Sequence, residues 1–153
     1  MKLVVDEWLW ADAGGDNGEQ RQKESLRFLE AVFERCDKIV IPGGETEFVR
    51  KFYDLCSRAD RDLRLRRIVK FFAQKFVQNS DKGEILVPPA NVPEQAELET
   101  NIKADDRYLI LAFRQSGADL LITTDLPLIR GLPALGIPVV HRDGFLREYL
   151  CGK

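Results

Sequence analysis

Residues 105–125, with the sequence DDRYLILAFRQSGADLLITTD, decide the fold of this 153-residue chain. Residues 105–115 predict a helix whose first turn is acidic, an arrangement that suits the helix dipole. Ser116 and Gly117 end this helix, and residues 119–123 predict a buried strand that leads directly to Asp125. A helix followed at once by a buried strand is typical of parallel sheets that are covered by helices.

The same alternation of short apolar segments and helices runs through the rest of the chain. Further strands are predicted at residues 2–5, 38–41 and 138–140, with 84–87 as an additional short strand, and helices at residues 19–35, 45–56, 61–78 and 144–150. Residues 79–93 are predicted to be turn-rich, and their prolines break the chain before the next helix. We therefore expect an α/β protein: a three-layer α/β/α sandwich with a central, mainly parallel sheet, in which residues 1–153 form a single domain.

Composition argues against several classes of protein. Hydrophobic residues make up 44% and charged residues 31% of the chain, which is unlike a disordered or fibrous protein. No apolar run approaches the roughly 18 residues of a membrane span, and the apolar start of the chain is too short for a signal-peptide core. The three cysteines have no disulfide-framework or zinc-site spacing, so we expect a reduced, cytoplasmic protein. Because the net charge is −2, any affinity for nucleic acid must be local.

Several acidic side chains are predicted to meet at one edge of the sheet. Asp6 ends the first strand, Asp125 follows the strand at 119–123, Glu47 lies early in the helix after the second strand, and Asp106 begins the helix at 105–115. The neighbouring Asp105 points about 100° away on a helix. Ligands of open α/β sheets bind beyond the carboxyl ends of the strands, where these acids fall.

Four carboxylates at one place repel each other, and a divalent cation is the usual solution. Oxygen ligands alone suit Mg²⁺ or Mn²⁺ better than zinc. Such a site supports metal-assisted hydrolysis of phosphodiester bonds. The competing interpretation is chance, because the chain has 25 acids and acids at helix N-termini are ordinary.

The arrangement resembles the PIN-domain ribonuclease family, which includes VapC-type toxins. The resemblance rests on LVVD at residues 3–6, IPGGETEF at 41–48, KADDRYLILA at 103–112 and SGADLLITTD at 116–125, with IPVV at 137–140 and the following Phe145-Leu146 as the last strand and helix. The block that ends in Thr123-Thr124-Asp125 is the most specific part, and residues 58–93 are the least recognisable. The resemblance implies an α/β/α fold and a Mg²⁺- or Mn²⁺-dependent endoribonuclease.

Carried over position by position, the family's metal-binding and catalytic acids correspond to Asp6, Glu47, Asp106 and Asp125, with Thr123 as a supporting hydroxyl. Asp105 is the alternative to Asp106, and Glu45 is the alternative to Glu47, if the correspondence is shifted along the helix. The family often has Asn or Ser two residues after the first acid, and here that residue is Trp8. A small polar group near the metal is therefore missing or replaced, and plain core packing is the favoured role for Trp8 and Trp10.

A basic segment offers a second candidate feature. Residues 58–75 contain seven Arg and Lys against two Asp, and Arg61, Arg64 and Arg67 are the candidates for contact with an RNA backbone. The solvated face of an amphipathic helix is the simpler interpretation.

Three functions compete. A metal-dependent ribonuclease, in the VapC case the toxin of a toxin–antitoxin pair, would have RNA as substrate, an antitoxin protein as partner and a homodimer as its assembly. A non-catalytic RNA- or protein-binding module on the same fold is the alternative, favoured by Trp8. A phosphoaspartate receiver or phosphatase needs a second acid beside Asp6, and Glu7 is expected to point to the other side of the strand.

Overall fold

Five short strands form one sheet in the computed structural model, which describes residues 1–87 and 102–152. The strands are β1 (Lys2–Val5), β2 (Lys38–Pro42), β3 (Gly83–Leu86), β4 (Leu120–Thr123) and β5 (Val139–His141). All of them are parallel, in the order β3-β2-β1-β4-β5. The predicted fold class is confirmed, and the sheet is wholly rather than mainly parallel.

In the part of the chain that the structure describes, seven α-helices connect and cover these strands. They are α1 (Trp8–Ala13), α2 (Glu19–Glu34), α3 (Glu47–Ala59), α4 (Leu63–Phe72), α5 (Arg107–Ser116), α6 (Leu126–Gly131) and α7 (Arg142–Cys151). A π-helical turn, Ala73–Val77, extends α4, and 3₁₀ turns at Ala104–Asp106 and Leu132–Leu135 precede α5 and follow α6. The proline-rich break predicted up to residue 93 lies mainly outside the described residues.

Helices α1 and α6 are absent from the sequence-based prediction. Asp125 caps the N-terminus of α6 through a hydrogen bond from the Leu128 amide, and a proline lies in the first turn. Both features are common helix-start signals. Helix α1 has no side-chain cap, and its apolar residues Trp8, Leu9, Trp10 and Ala13 are buried on several sides, so no amphipathic period marks it.

The core has two parts because side chains alternate between the faces of a strand. Leu3 and Val5 of β1 pack with aromatic residues of the first helical layer, while Val4 packs with α5 and α6 on the other face. The buried aromatic residues of the first layer come from α1, α2, α3, α4, the π-helical turn and α7: Trp8, Trp10, Phe28, Phe48, Phe72, Phe76 and Tyr149. Helices therefore lie on both faces of the sheet, as the three-layer sandwich requires.

The register of the central strands places the candidate acids. Val5 of β1 is paired with Ile122 of β4, and the Asp6 amide donates to the Ile122 carbonyl at 3.1 Å. Asp6, which follows β1, and Thr123, which ends β4, therefore lie side by side at the carboxyl edge of the sheet.

Across residues 1–87 and 102–152, no helix combines the length and the apolar character needed to cross a membrane.

Candidate functional site

Asp6 is the most buried of the candidate acids, with 5% of its surface exposed. Its Oδ2 accepts a 2.6 Å hydrogen bond from the hydroxyl of Thr123, and its Oδ1 accepts one of 2.6 Å from the Glu7 amide. Burial nonetheless raises the pKa of Asp6 above its ordinary value, and the nearby Asp125 adds to the rise. Burial thus destabilises the ionised form of Asp6, while two fixed hydrogen-bond donors partly stabilise it.

Thr123 connects the two strand-end acids. Besides donating to Asp6, its Oγ1 accepts a 3.0 Å hydrogen bond from the backbone amide of Asp125. Asp125 in turn uses Oδ1 to cap α6, where it accepts from the Leu128 amide at 3.3 Å. The threonine is fully buried, so it holds the two acids in a fixed relationship.

Asp106 lies beside these two acids and differs from its neighbour Asp105. Asp105 is exposed and Asp106 is half-buried. Burial, followed by the charges of Asp6 and Asp125, raises the pKa of Asp106 to about 6. Asp106 begins α5 without capping a backbone amide, so capping does not explain its position. Of the two neighbours, Asp106 is therefore the one that lies beside the other acids, and its role in a metal site stays a prediction.

A cleft of about 500 Å³ opens where these acids meet. Four carboxylates line it, those of Asp6, Glu7, Asp106 and Asp125. The structure therefore brings together three of the four predicted acids and adds one that the prediction set aside.

Glu7 is the added acid, and the expectation that it points away from Asp6 is wrong. That expectation assumed that β1 continues through Glu7. The strand instead ends at Val5, and Glu7 has helical backbone angles at the start of α1, so the alternation of a strand no longer applies. Burial and the adjacent Asp6 raise the pKa of Glu7.

Glu47 lies at the margin of this group. It begins α3 and does not line the cleft. Arg50, one turn later, donates from Nε to Glu47 Oε1 at 2.8 Å, and this pairing holds the pKa of Glu47 below its ordinary value. Its charge still contributes to the raised pKa of Glu7, so Glu47 acts on the cleft from its edge.

Tyr108 adds an unpaired donor next to the acids. Its hydroxyl is buried and finds no hydrogen-bond partner among the described residues. Burial, reinforced by the charges of Asp6, Glu7 and Asp106, raises the pKa of Tyr108 far above its ordinary value. The phenol therefore stays protonated at every physiological pH.

The cations that line the cleft are Arg21, Lys51 and Arg142, from α2, α3 and α7. The predicted RNA-binding residues are Arg61, which precedes α4, and Arg64 and Arg67 of α4. All three are exposed and do not line the cleft. The sequence offered the basic segment at residues 58–75 as a candidate RNA contact, with a solvated helix face as the simpler interpretation, whereas the cations of the cleft come singly from separate helices. No local signal in the sequence joins them.

Trp8 occupies the place where the resembling family often has a small polar residue. It is 4% exposed, and its Nε1 donates to the Ile122 carbonyl at 3.0 Å. Trp8 forms part of the cleft wall and also packs against Phe28, so core packing is its main role, as expected.

The donor set fits a hard divalent cation in type, because every acidic group in the cleft offers carboxylate oxygen. Within residues 1–87 and 102–152, however, no three acidic, histidine or cysteine side chains are grouped closely enough to hold a metal ion as they stand. Neutralising the crowded carboxylates requires either protons or a cation. The raised pKa of Asp106 favours the first of these, a proton bound to the carboxylate.

The chain matches no protein-family model and no curated protein.

Proposed function

We propose that this protein is a Mg²⁺- or Mn²⁺-dependent endoribonuclease with a PIN-like site. The observation that carries the proposal is the shared cleft of Asp6, Asp106 and Asp125, where burial and neighbouring carboxylates raise the pKa of Asp6 and of Asp106. A group of acids that serves only as helix caps would not be arranged around one cavity. The order of the elements and the Thr123-Thr124-Asp125 segment of the resemblance agree with this function.

Each residue has a role in the proposal that follows from its contacts. Asp6, Asp106 and Asp125 would hold the cation, with Glu7 lining the same cleft and Glu47 at its margin. Thr123 fixes the direction of Asp6. When bound, the cation would activate a water molecule and stabilise charge on the phosphate. Asp106, whose pKa is about 6, binds or releases a proton near neutral pH, so proton uptake competes with cation binding at this carboxyl.

The resemblance further predicts a toxin role with an antitoxin partner and a homodimer, and the cysteine pattern predicts a cytoplasmic location; these stay predictions.

A non-catalytic RNA-binding module is the second candidate. It is favoured by the spacing of the acids, since no ready group of three metal ligands is found in the described residues. Trp8, at the position of the missing polar residue, points the same way. In this case the cleft would bind RNA without cleaving it.

An RNA cleavage assay distinguishes the two candidate functions. Single-stranded RNA is incubated with the protein in Mn²⁺ or Mg²⁺, with EDTA as the blank. The ribonuclease should cleave only with the cation, and Asp106→Asn and Asp125→Asn should each reduce cleavage at least 100-fold. Asp60→Asn, which alters an exposed acid outside the cleft, is purified in parallel and should cleave like the parent. Cleavage in EDTA, or full activity in both cleft variants, would contradict the proposal; binding without cleavage would favour the second candidate.

A further inference from the structure

Positive side chains share the cleft with the acids. Arg142 is the most buried of them, with a side chain 12% exposed, while Arg21 and Lys51 are 30% and 40% exposed. They come from α7, α2 and α3, so three separate elements converge to place cations at this edge of the sheet. Such convergence is not explained by the solvated face of any one helix.

Arg142 is held in place by a buried partner. Its Nη1 donates to both carboxylate oxygens of Asp12 at 2.9 Å, and Asp12 is only 1% exposed. The amide of Asn17 donates to the same carboxylate at 2.8 Å, and Nε of Arg142 donates to Asp143 at 2.9 Å. The remaining nitrogen, Nη2, donates to none of the described residues. A fixed guanidinium with a free nitrogen at a cleft wall is pre-organised to bind an oxyanion.

Lys51 and Arg21 are less constrained. Nζ of Lys51 lies 3.9 Å from a Glu7 oxygen, a long ion pair between two partly exposed side chains. Arg21 contacts Glu24 at 2.9 Å and Asp143 at 3.1 Å. Neither cation is buried against its partner, so either side chain can turn toward a ligand in the cleft at little cost.

The charge of the cleft depends on whether a cation is bound. Its lining has four carboxylates and three cations, a net charge of −1 if all are ionised, and one divalent cation would make it +1. A phosphodiester would therefore meet repulsion before the cation binds and attraction afterwards.

We propose that Arg142, together with Lys51 and Arg21, holds a backbone phosphate of the RNA strand beside the acids, and that this contact forms only when a divalent cation is bound. The inference rests on the proposed function and deepens it: it assigns the substrate-positioning side of the same cleft. Arg142 is a positioning residue whose orientation depends on Asp12.

The test measures RNA binding separately from cleavage. The probe is a fluorescent single-stranded RNA with a phosphorothioate backbone, titrated by anisotropy in Mn²⁺ and in EDTA. The parent should bind at least tenfold more tightly in Mn²⁺. Lys51→Gln and Arg142→Lys should each weaken that binding fivefold or more, and each lost phosphate contact should reduce the slope of log K against log salt by about 0.7. Arg27→Gln, an exposed change on the same helix as Arg21, is the control and should bind like the parent.

Two further measurements keep the outcomes distinct. Calorimetry with Mn²⁺ alone should give the variants a Kd within twofold of the parent, which a collapsed site would not. Because Arg142→Lys disturbs a buried pair, Lys51→Gln, at a partly exposed site, serves as the variant that keeps the fold. In kinetics on ordinary RNA, Lys51→Gln should raise KM by a larger factor than it lowers kcat.

Unchanged RNA affinity in both variants, while the parent still binds Mn²⁺ and cleaves RNA, overturns this inference and leaves the proposed function standing. Equal binding in Mn²⁺ and EDTA overturns the cation dependence. A parent that neither binds Mn²⁺ nor cleaves RNA overturns both.

Discussion

The hydroxyl of Thr123 joins the two acids that follow strands β1 and β4: it donates to Asp6 Oδ2 at 2.6 Å and accepts from the Asp125 amide at 3.0 Å. The first of these bonds connects positions 117 residues apart in the chain, and the second connects positions two residues apart. Because all three groups lie at the carboxyl edge of the sheet, the threonine determines how Asp6 faces the cleft.

Replacing Thr123 tests this relationship. Thr123→Val keeps the shape but leaves Oδ2 of the buried Asp6 carboxylate without its donor, with only the Glu7 amide still donating to Oδ1, so we expect the free energy of unfolding to fall by about 2 kcal/mol. Thr123→Ser retains the hydroxyl and should lose less than half as much. The pKa of Asp6, which the hydrogen bond lowers, should rise further in the valine variant. Urea unfolding measures the stabilities, and a valine variant as stable as the serine variant would contradict the role of the hydroxyl.

Asp106 should make the protein without added cation less stable as pH rises. Its pKa in the fold is about 6, against an ordinary value of 3.8, so the folded state binds more protons between these values and stability falls as pH rises through that window. Asp106→Asn removes this dependence. At pH 7 it should stabilise the protein by roughly 1 kcal/mol, after discounting for solvent screening of a half-buried group, or about 3 °C in Tm.

The matched control for that experiment is Asp105→Asn, on the exposed side of the same turn. It should leave the pH dependence of Tm almost as it is in the parent. Scanning calorimetry at pH 4, 5, 6 and 7 in EDTA follows both variants. If Asp106→Asn lowered Tm at pH 7, the loss of a favourable helix-terminal charge would outweigh the repulsion, and crowding of the acids would be the wrong explanation.

Glu7 and Glu47 provide a paired test of which acid belongs to the cleft. Glu7 lines it, whereas Glu47 is paired with Arg50 outside it. We expect Glu7→Gln to weaken Mn²⁺ binding about tenfold and Glu47→Gln to weaken it less than threefold, because a cation would first have to separate Glu47 from Arg50. Calorimetric titration with Mn²⁺ measures both. The reverse order would restore Glu47 to the place that the resemblance gives it.

The Asp12–Arg142 pair should be strongly coupled. Arg142→Met leaves the buried carboxylate of Asp12 without its main partner, which should cost about 3 kcal/mol of stability. In the double variant Asp12→Asn with Arg142→Met, no uncompensated charge remains, so the loss should be smaller than the sum of the single losses. Urea unfolding of the four proteins gives the coupling free energy. Additive losses would show that Arg142 is not held by Asp12.

The sequence was sufficient for most of the fold because its signals are local. The short apolar segments gave all five strands within about one residue, from Lys2–Val5 to Val139–His141. Helix α1 was missed because its tryptophans are buried on several sides, and α6 because the proline in it obscured a genuine Asp125 cap. A local pattern reveals a helix when one face is buried, and it fails when the helix is buried on several sides.

The site was harder to predict from the sequence, since it depends on where separate elements meet. Asp6, Asp106 and Asp125 could be placed because each follows a strand or begins a helix at the same edge. Glu7 could not, because its direction depends on the residue at which β1 ends. Arg142 could not, because its position is determined by Asp12, which is 130 residues away in the chain. Contacts over such separations leave no periodicity to detect.

The central position of β1 has a consequence for synthesis. One side of β1 pairs with β2, which is synthesised soon after it. The other side pairs with β4, which is synthesised much later, because Asp6 and Thr123 are 117 residues apart. At about 5–20 residues per second, that wait is on the order of ten seconds. For most of this time the nascent chain has Asp6 and Glu7 but lacks Asp106 and Asp125, the two later acids of the cleft. A chain emerging from a ribosome, a particle built largely of RNA, therefore carries no assembled acidic cleft until residue 125 has been made and β4 has docked.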